Sequence, residues 1–590
     1  MSEQKTSPNG SPSQLTQHAM LVVWGMYAQQ IGLVEALEQV ELSQKTRDHR
    51  PQTKIMEFLL AILAGLPHLQ DLSRSGHPLV KDEAVAEAWG QPGWADHSGV
   101  SRTLQSLHDE EVKAINDALM AVSQPFIDQE CQEALLQTGR LLYDADLTGR
   151  PVSSTSTSYP DTAFGYMGDS VELGYQAALV SIHSPTFGRL WLANQLHPGD
   201  TVSSTEAQAL VIAAEARSGY RPLRRTELVA DQLAKAEAAL ATANERYEAS
   251  YEQCKEAQDK PHDTSRSLSD WSHEMKSLEA DYKRQGRQPT SHCKLAKARR
   301  KVATLEKRLP RVQKTLAVAE RRLAKSEGKL EAARAEVERL RQRHQQLLAE
   351  NESNPHPIRA TFRLDSGFAS QENIAWLIEM GYDVLTKARS TGVRDRLIAA
   401  VSAETEWQRV GGNASLTAWA NTTADGYFTY PVDLALARYQ TGKSVRYSVL
   451  VHYGDQDITA DLDGWFHHYN GRQTIEAGIK EGKTVFQMHH LKVRSPQALL
   501  LQEYFACFAA NFVRFAGLWL SEQQIHEPPF DTGSVKQMVQ VCAHTSAWVQ
   551  RFGDVWLLTF TEQSRFAGYS LRIGSGAFQL PLPLYRDIHF

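Results

Sequence analysis

The stretch Tyr469-Asn-Gly-Arg472-Gln-Thr-Ile-Glu476-Ala-Gly-Ile-Lys480-Glu-Gly-Lys483 carries the side chains best suited to chemistry. A helix turns about 100° per residue, so on one helix Tyr469, Arg472, Glu476 and Lys483 fall within roughly 60° of one another. A phenol, a guanidinium, a carboxylate and an ammonium then share a single stripe. Ile475 and Ile479, one turn apart, give that helix a separate face to bury. A carboxylate among such donors suits a site where a metal ion and a phosphate chain meet. The ordinary alternative is a solvated face with i,i+4 ion pairs. Further acidic ligands elsewhere in the chain decide between the two.

Two stretches supply them. From Gly139, Leu142, Asp144 and Asp146 alternate with Tyr143, Ala145 and Leu147, which predicts a strand with both carboxylates on one face. Residues 176–183 and 189–197 read as the next two strands, and 203–217 as a helix. Later, Arg359-Ala-Thr-Phe-Arg-Leu-Asp365 reads as a strand closing in Asp365-Ser-Gly367-Phe368. A helix over 371–380 and a strand over 382–386 follow. Residues 388–460 read mostly as strands, 406–420 and 445–453 among them. Asp146 (or Asp144), Asp365 and Glu476 form an all-oxygen ligand set, which fits Mg²⁺ and needs no Cys or His. Adjacent His489 and His490 cannot face one way on a helix and are read as structural. Gly442-Lys443-Ser444 resembles the end of a phosphate-binding loop, but Ala437 stands where its first glycine belongs and a strand follows, so an ATPase is excluded.

The 590 residues leave room for several domains. A net charge of −6 places any nucleic-acid footprint locally. Five scattered cysteines without a CxxC pair point to reduced thiols in a cytosolic protein. Residues 1–17 are polar, lack an apolar h-region and read as a disordered tail without a signal peptide. Residues 498–520 are the most apolar, yet Glu503, Asn511 and Arg514 mark them as a core helix and not a membrane span. Residues 18–135 read as a helical domain. Within it 98–107 looks like the entry to a small DNA-reading helix, with Arg102 suited to a phosphate.

Between the two Asp stretches, Leu295, Val302, Leu309, Leu316, Leu323, Leu330 and Val337 recur every seven residues. A weaker register precedes them, from Leu233 to Cys254. Pro261, Gly286 and Pro289 interrupt the pattern, which predicts an antiparallel helical hairpin with 267–284 helical near its tip. Pro310 is expected to bend or interrupt the second arm, which would reach roughly 80 Å. Residues 294–349 hold 17 Lys or Arg against 6 Glu, so the densest basic surface lies there.

The spacing Tyr-x2-Arg-x3-Glu-x6-Lys, with Asp146-Leu-Thr148 and Asp365-Ser-Gly-Phe368, resembles bacterial insertion-sequence DDE transposases that carry the YREK signature. The resemblance covers most of 139–220 and 358–520. It implies an α/β, RNase-H-like mixed sheet in which Asp146 and Asp365 lie on neighbouring strands. It also implies cut-and-paste transposition: metal-dependent hydrolysis at transposon ends and transfer of the 3′-OH into target DNA. Asp146, Asp365 and Glu476 would be catalytic and would hold Mg²⁺ (Mn²⁺ can substitute), while Tyr469, Arg472 and Lys483 would hold DNA phosphates. The family also places an aromatic against a flipped base in its strand-rich insert, where Trp407 and Trp419 stand. Double-stranded DNA, a homodimer on that DNA and a cytoplasmic, nucleoid-associated location follow, with no membrane. With the heptad hairpin, which is not part of the family pattern, the expected organisation is a helical N-terminal DNA-binding domain (18–135), a catalytic domain in three parts (136–221, 358–387, 461–520), a coiled-coil insertion (222–357), a β-rich insertion (388–460) and a C-terminal region (521–590). A catalytically idle DNA-binding descendant and a stand-alone metal-dependent nuclease share the same residues.

Overall fold

The structure, a computed structural model, describes residues 13–522, 533–564 and 566–574. These fall into two units: Arg224–Pro355, and the residues on either side of it. The strands are β1 (Gln14–Thr16), β2 (Arg140–Pro151), β3 (Ala163–Tyr166), β4 (Val171–Ile182), β5 (Leu190–Pro198), β6 (Arg359–Leu364), β7 (Asp383–Lys387), β8 (Gln408–Arg409), β9 (Ala414–Thr422), β10 (Val432–Thr441), β11 (Ser444–Tyr453), β12 (Ala547–Phe552), β13 (Val555–Phe560) and β14 (Ser570–Gly574).

One mixed sheet of ten strands carries the first unit. Its order is β3-β4-β2-β6-β7-β11-β10-β9-β8, with β5 also paired to β4. The centre is parallel: β2 runs beside β6, and β6 beside β7. Parallel strands need covering on both faces, and their side chains are accordingly apolar and buried, Tyr143, Ala145, Phe362, Leu364 and Val384 among them. The helix Ser203–Ser218 packs against this region, with Leu210, Val211 and Ala214 buried. The helix Pro496–Glu522 lies on β5, and its Phe505, Ala509, Phe512 and Val513 are buried. Among the described residues no helix is long and apolar enough to cross a membrane.

Residues 388–460, expected as a β-rich insertion, do not form a sheet of their own. Strand β11 pairs antiparallel with β7, so β8–β11 continue the central sheet outward. This stretch also contains a helix, Thr391–Ala400. Leu416, Ala435, Ala437 and Leu450 there pack with Trp465 and Tyr469 into one core, which fixes the helix that follows. Gly442 and Lys443 form the two-residue turn between β10 and β11.

The expected disordered tail 1–17 includes β1, which pairs with β12 in a second, four-stranded sheet of order β1-β12-β13-β14. Thr16 is buried there and donates to Asp82 at 2.8 Å. Three residues are too short to show a strand periodicity. Residues 18–138 are helical as expected, ending in the long helix Asp109–Thr138 that leads into β2.

The second unit is a pair of helices, Thr226–Arg284 and Lys294–Glu352, of 59 residues each. Leu295, Ala298, Val302, Leu305, Leu330, Val337 and Leu340 are buried along the predicted seam. The expected interruptions at Pro261 and Pro310 do not occur, and 267–284 is helical as expected, as the end of the first arm. Both prolines lie inside continuous helices. A proline removes one backbone hydrogen bond, and the packed seam on either side holds the remaining turns.

Candidate active site

Strand register sets the carboxylates level. Ala145 lies opposite Leu364, and Arg363 opposite Leu385. One step towards the strand ends comes Asp146 on β2 and Asp365 after β6. Two steps beyond Leu385 on β7 comes Lys387. Asp365 and Lys387 therefore stand at strand ends beside Asp146, which lies midway along β2 where its pairing with β6 stops, and all three share one side of the sheet. Asp365 closes its strand in a turn in which Phe368 N donates to Asp365 O at 3.0 Å. Gly367 packs closely there: a Cβ would lie 2.8 Å from Ser203 Oγ, so a larger residue would make the serine shift.

The expected single helix is two, Leu462–Asn470 and Gln473–Thr484. Gly471 and Arg472 between them keep helical dihedrals, but the bonds tighten to i→i+3, with Arg472 N on Tyr469 O at 3.1 Å and Ile475 N on Arg472 O at 2.8 Å. The junction rests on Arg363. Its Nη1 donates to His468 O at 3.0 Å, and a Cβ at position 471 would lie 2.4 Å from that nitrogen, so Gly471 is the residue that fits.

Arg472 stands at the centre. It is buried, and its Nη1 donates to Asp146 Oδ2 at 3.1 Å. Its Nη2 donates to Glu476 Oε1 at 2.6 Å and lies 3.9 Å from Asp365 Oδ1. All three predicted carboxylates thus converge on one guanidinium. Burial works against the Arg472 charge, but Asp146, Tyr469, Asp365 and Glu476 around it hold its pKa above the ordinary arginine value. Asp146 is pushed up to about 6, first by burial and then by Asp365, with Arg472 opposing. Asp144, the alternative first ligand, is committed elsewhere: Arg363 holds it through two bonds of 2.7 Å, both partners almost wholly buried.

The predicted phosphate contacts divide. Arg472 is turned inward to the carboxylates and is not presented to solvent. Tyr469 is buried, with its hydroxyl beside Arg472 but in no well-formed hydrogen bond. Lys483 is half-buried, and burial lowers its pKa, with Arg150 adding to that and Asp146, Glu503 and Asp169 opposing. Arg102 is exposed on the helix His97–Gln105 and takes no part in the contacts around Asp146. Trp407 is half-buried beneath the Arg438 guanidinium, 4.2 Å from its ring centre, and lines a groove with Glu406, Thr417 and Leu462. Trp419 is half-buried on β9.

The roles of four residues around the site escaped the sequence reading. Arg363 shares a strand face with Asp365 by simple alternation, and that alternation was a readable signal. Lys387 could be placed only once the register was known. Arg150 and Glu503, each 1% exposed, join β2 to the helix Pro496–Glu522 at 2.8 and 3.0 Å, across 353 residues of sequence.

Among the described residues no group of three or more His, Cys, Asp or Glu stands ready-made around a metal position. The donor set still fits a hard divalent cation: carboxylate oxygens from β2, the turn after β6 and one helix already gather around a positive charge, and desolvation opposes the ionisation of Asp146.

Residues 334–512 match the family model described as the transposase DDE domain. The match contains Asp365, Glu476 and the whole Tyr469–Lys483 stretch, begins after Asp146, and supports a place among DDE transposases. No curated protein matches the chain.

Proposed function

We propose that this chain is the DNA transposase of a bacterial insertion sequence. It hydrolyses a phosphodiester at each transposon end and joins the freed 3′-OH to target DNA. The convergence of Asp146, Asp365 and Glu476 on one buried cation, within and beside the matched DDE region, carries this reading.

In hydrolysis a water oxygen attacks phosphorus and the bond to the 3′ oxygen breaks, leaving a 3′-OH and a 5′-phosphate. In joining, that 3′-OH attacks a target phosphodiester and displaces a target 3′ oxygen. Asp146, Asp365 and Glu476 would hold Mg²⁺ or Mn²⁺, which when bound activates the attacking oxygen and stabilises charge on the leaving one. Arg472 keeps the three carboxylates gathered by compensating their charge. Arg363 positions Asp144, β2 and the Gly471 junction as one assembly. Lys483, half-buried on the Asp146 side, holds a DNA phosphate beside the cut. Pairing two ends takes two protomers, so the working species is a homodimer on double-stranded DNA, on the bacterial nucleoid.

The test is excision from a plasmid carrying the gene with its flanking DNA, in Mg²⁺. Asp146→Asn, Asp365→Asn and Glu476→Gln should each abolish cleavage and leave DNA binding intact, because affinity comes from distributed phosphate contacts. Full cleavage by Glu476→Gln overturns the assignment. Wild-type binding without cleavage identifies an idle descendant, and cleavage without joining a nuclease.

A further inference from the structure

Lys387 belongs to none of the motifs that point to the site, yet the sheet delivers it there. Strand β7 is held on both sides: Thr386 Oγ1 donates to Leu364 O at 3.1 Å towards β6, and Lys387 itself pairs with Leu450 of β11. Its backbone is therefore fixed at the end of the row that begins with Asp146 and Asp365. Its ammonium lies 5.1 Å from the centre of the Tyr469 ring. By strand alternation its side chain leaves the sheet on the same face as Asp146 and Asp365; burial lowers its pKa, with Arg472 adding to that and Asp365 and Glu476 opposing. It is half-buried, and among the described residues its ammonium has no ion pair.

A half-buried ammonium without a counter-ion is costly to keep. Fixed beside acidic ligands already occupied by Arg472, it is suited to an anion from outside. Lys483 has the same character on the Asp146 side. We propose that Lys387 is a substrate-binding residue that takes a DNA phosphate on the Asp365 and Glu476 side, with Lys483 taking one on the Asp146 side. One DNA strand then crosses the carboxylates between two ammonium groups, which fixes its path over the site. The Tyr469 ring supports the Lys387 stem and acts on substrate through it.

This inference rests on the transposase reading, and the experiment separates the two. Binding of a fluorescein-labelled random-sequence duplex is measured by anisotropy against salt, with Ca²⁺ present, and nicking of supercoiled plasmid with Mg²⁺. Lys387→Gln should lower the salt slope by about 0.9, the value for one phosphate contact. It should also slow nicking about tenfold, the loss expected for a charge-assisted hydrogen bond, at an unchanged melting temperature. Lys387→Arg should restore the slope. Lys387→Met, which keeps the stem over Tyr469, replaces the Gln variant if that does not fold. A wild-type slope and nicking rate in Lys387→Gln overturns this inference alone, as does an equal loss of slope in Lys387→Arg. A wild-type protein that neither binds nor nicks DNA overturns both readings.

Discussion

Arg363 grips Asp144 through two hydrogen bonds of 2.7 Å across the β2–β6 ladder, and this pairing separates two carboxylates that share one strand face. Asp144 becomes part of the frame and Asp146 is left to the site. Breaking a buried ion pair by removing one partner leaves the other charge uncompensated and costs about 3–5 kcal/mol. Asp144→Ala should therefore lower unfolding free energy by that order in urea denaturation, whereas Asp146→Asn should not. A fully stable Asp144→Ala protein would reverse the two roles.

Asp146 gives a pH signature. Its pKa is pushed up to about 6 from an ordinary 3.8, chiefly by burial. A carboxyl raised on folding contributes stability that is complete below its unfolded pKa and is lost as pH rises through the folded one. The wild type should thus lose stability relative to Asp146→Asn between pH 4 and pH 6, and the difference should level off above that. Two pKa units correspond to about 2.7 kcal/mol, an upper figure because Asp146 retains some exposure. Melting temperatures of both proteins in EDTA across this range provide the check. A constant difference would show that Arg472 fully offsets the burial.

What could be read from the sequence depended on how local the signal was. The alternation through Leu142, Asp144 and Asp146 placed β2, and the heptads from Leu295 to Val337 placed the second hairpin arm. The same local logic failed at Pro261 and Pro310, where packing of the seam outweighs one lost hydrogen bond. At 388–460 it gave strands but not their partner, because nothing within that stretch reveals that β11 pairs with β7. The three carboxylates were visible by type and motif. The Arg363 clamp and the place of Lys387 arise from strand register, which joins residues more than 200 positions apart along the sequence, and the inward turn of Arg472 from the helix junction that Arg363 holds.

Arg472 offers a third test. As a phosphate ligand it would contribute about one unit to the salt slope of DNA binding. With its guanidinium committed to Asp146, Glu476 and Asp365, the slope should stay at the wild-type value in Arg472→Gln. Instead three acidic groups would face each other without compensation. The variant should melt at lower temperature than wild type in EDTA at pH 8, and Mg²⁺ should raise its melting temperature more than that of the wild type. A reduced slope with unchanged melting would return Arg472 to the DNA.

The helical pair can be removed as a unit. The chain leaves the first unit at Leu223 and re-enters it at His356. The two connecting strands of chain lie side by side there, with Ile358 N donating to Arg221 O at 3.2 Å. A short Gly/Ser linker replacing residues 226–349 therefore spans a small gap, and the ten-stranded sheet should still fold. The seam residues of Lys294–Glu352 are used within the hairpin, while Lys307, Arg308, Arg311, Lys314, Arg321 and Arg322 are exposed. Such a basic surface gains from releasing counterions when it meets phosphates. The shortened protein should keep divalent-metal nicking of plasmid DNA but bind DNA with a smaller salt slope and lose the complex that holds two ends together. Gel-shift assays on paired ends and salt titrations check both. Full paired-end assembly at the wild-type salt slope would make the hairpin a spacer whose charges serve only to keep it solvated.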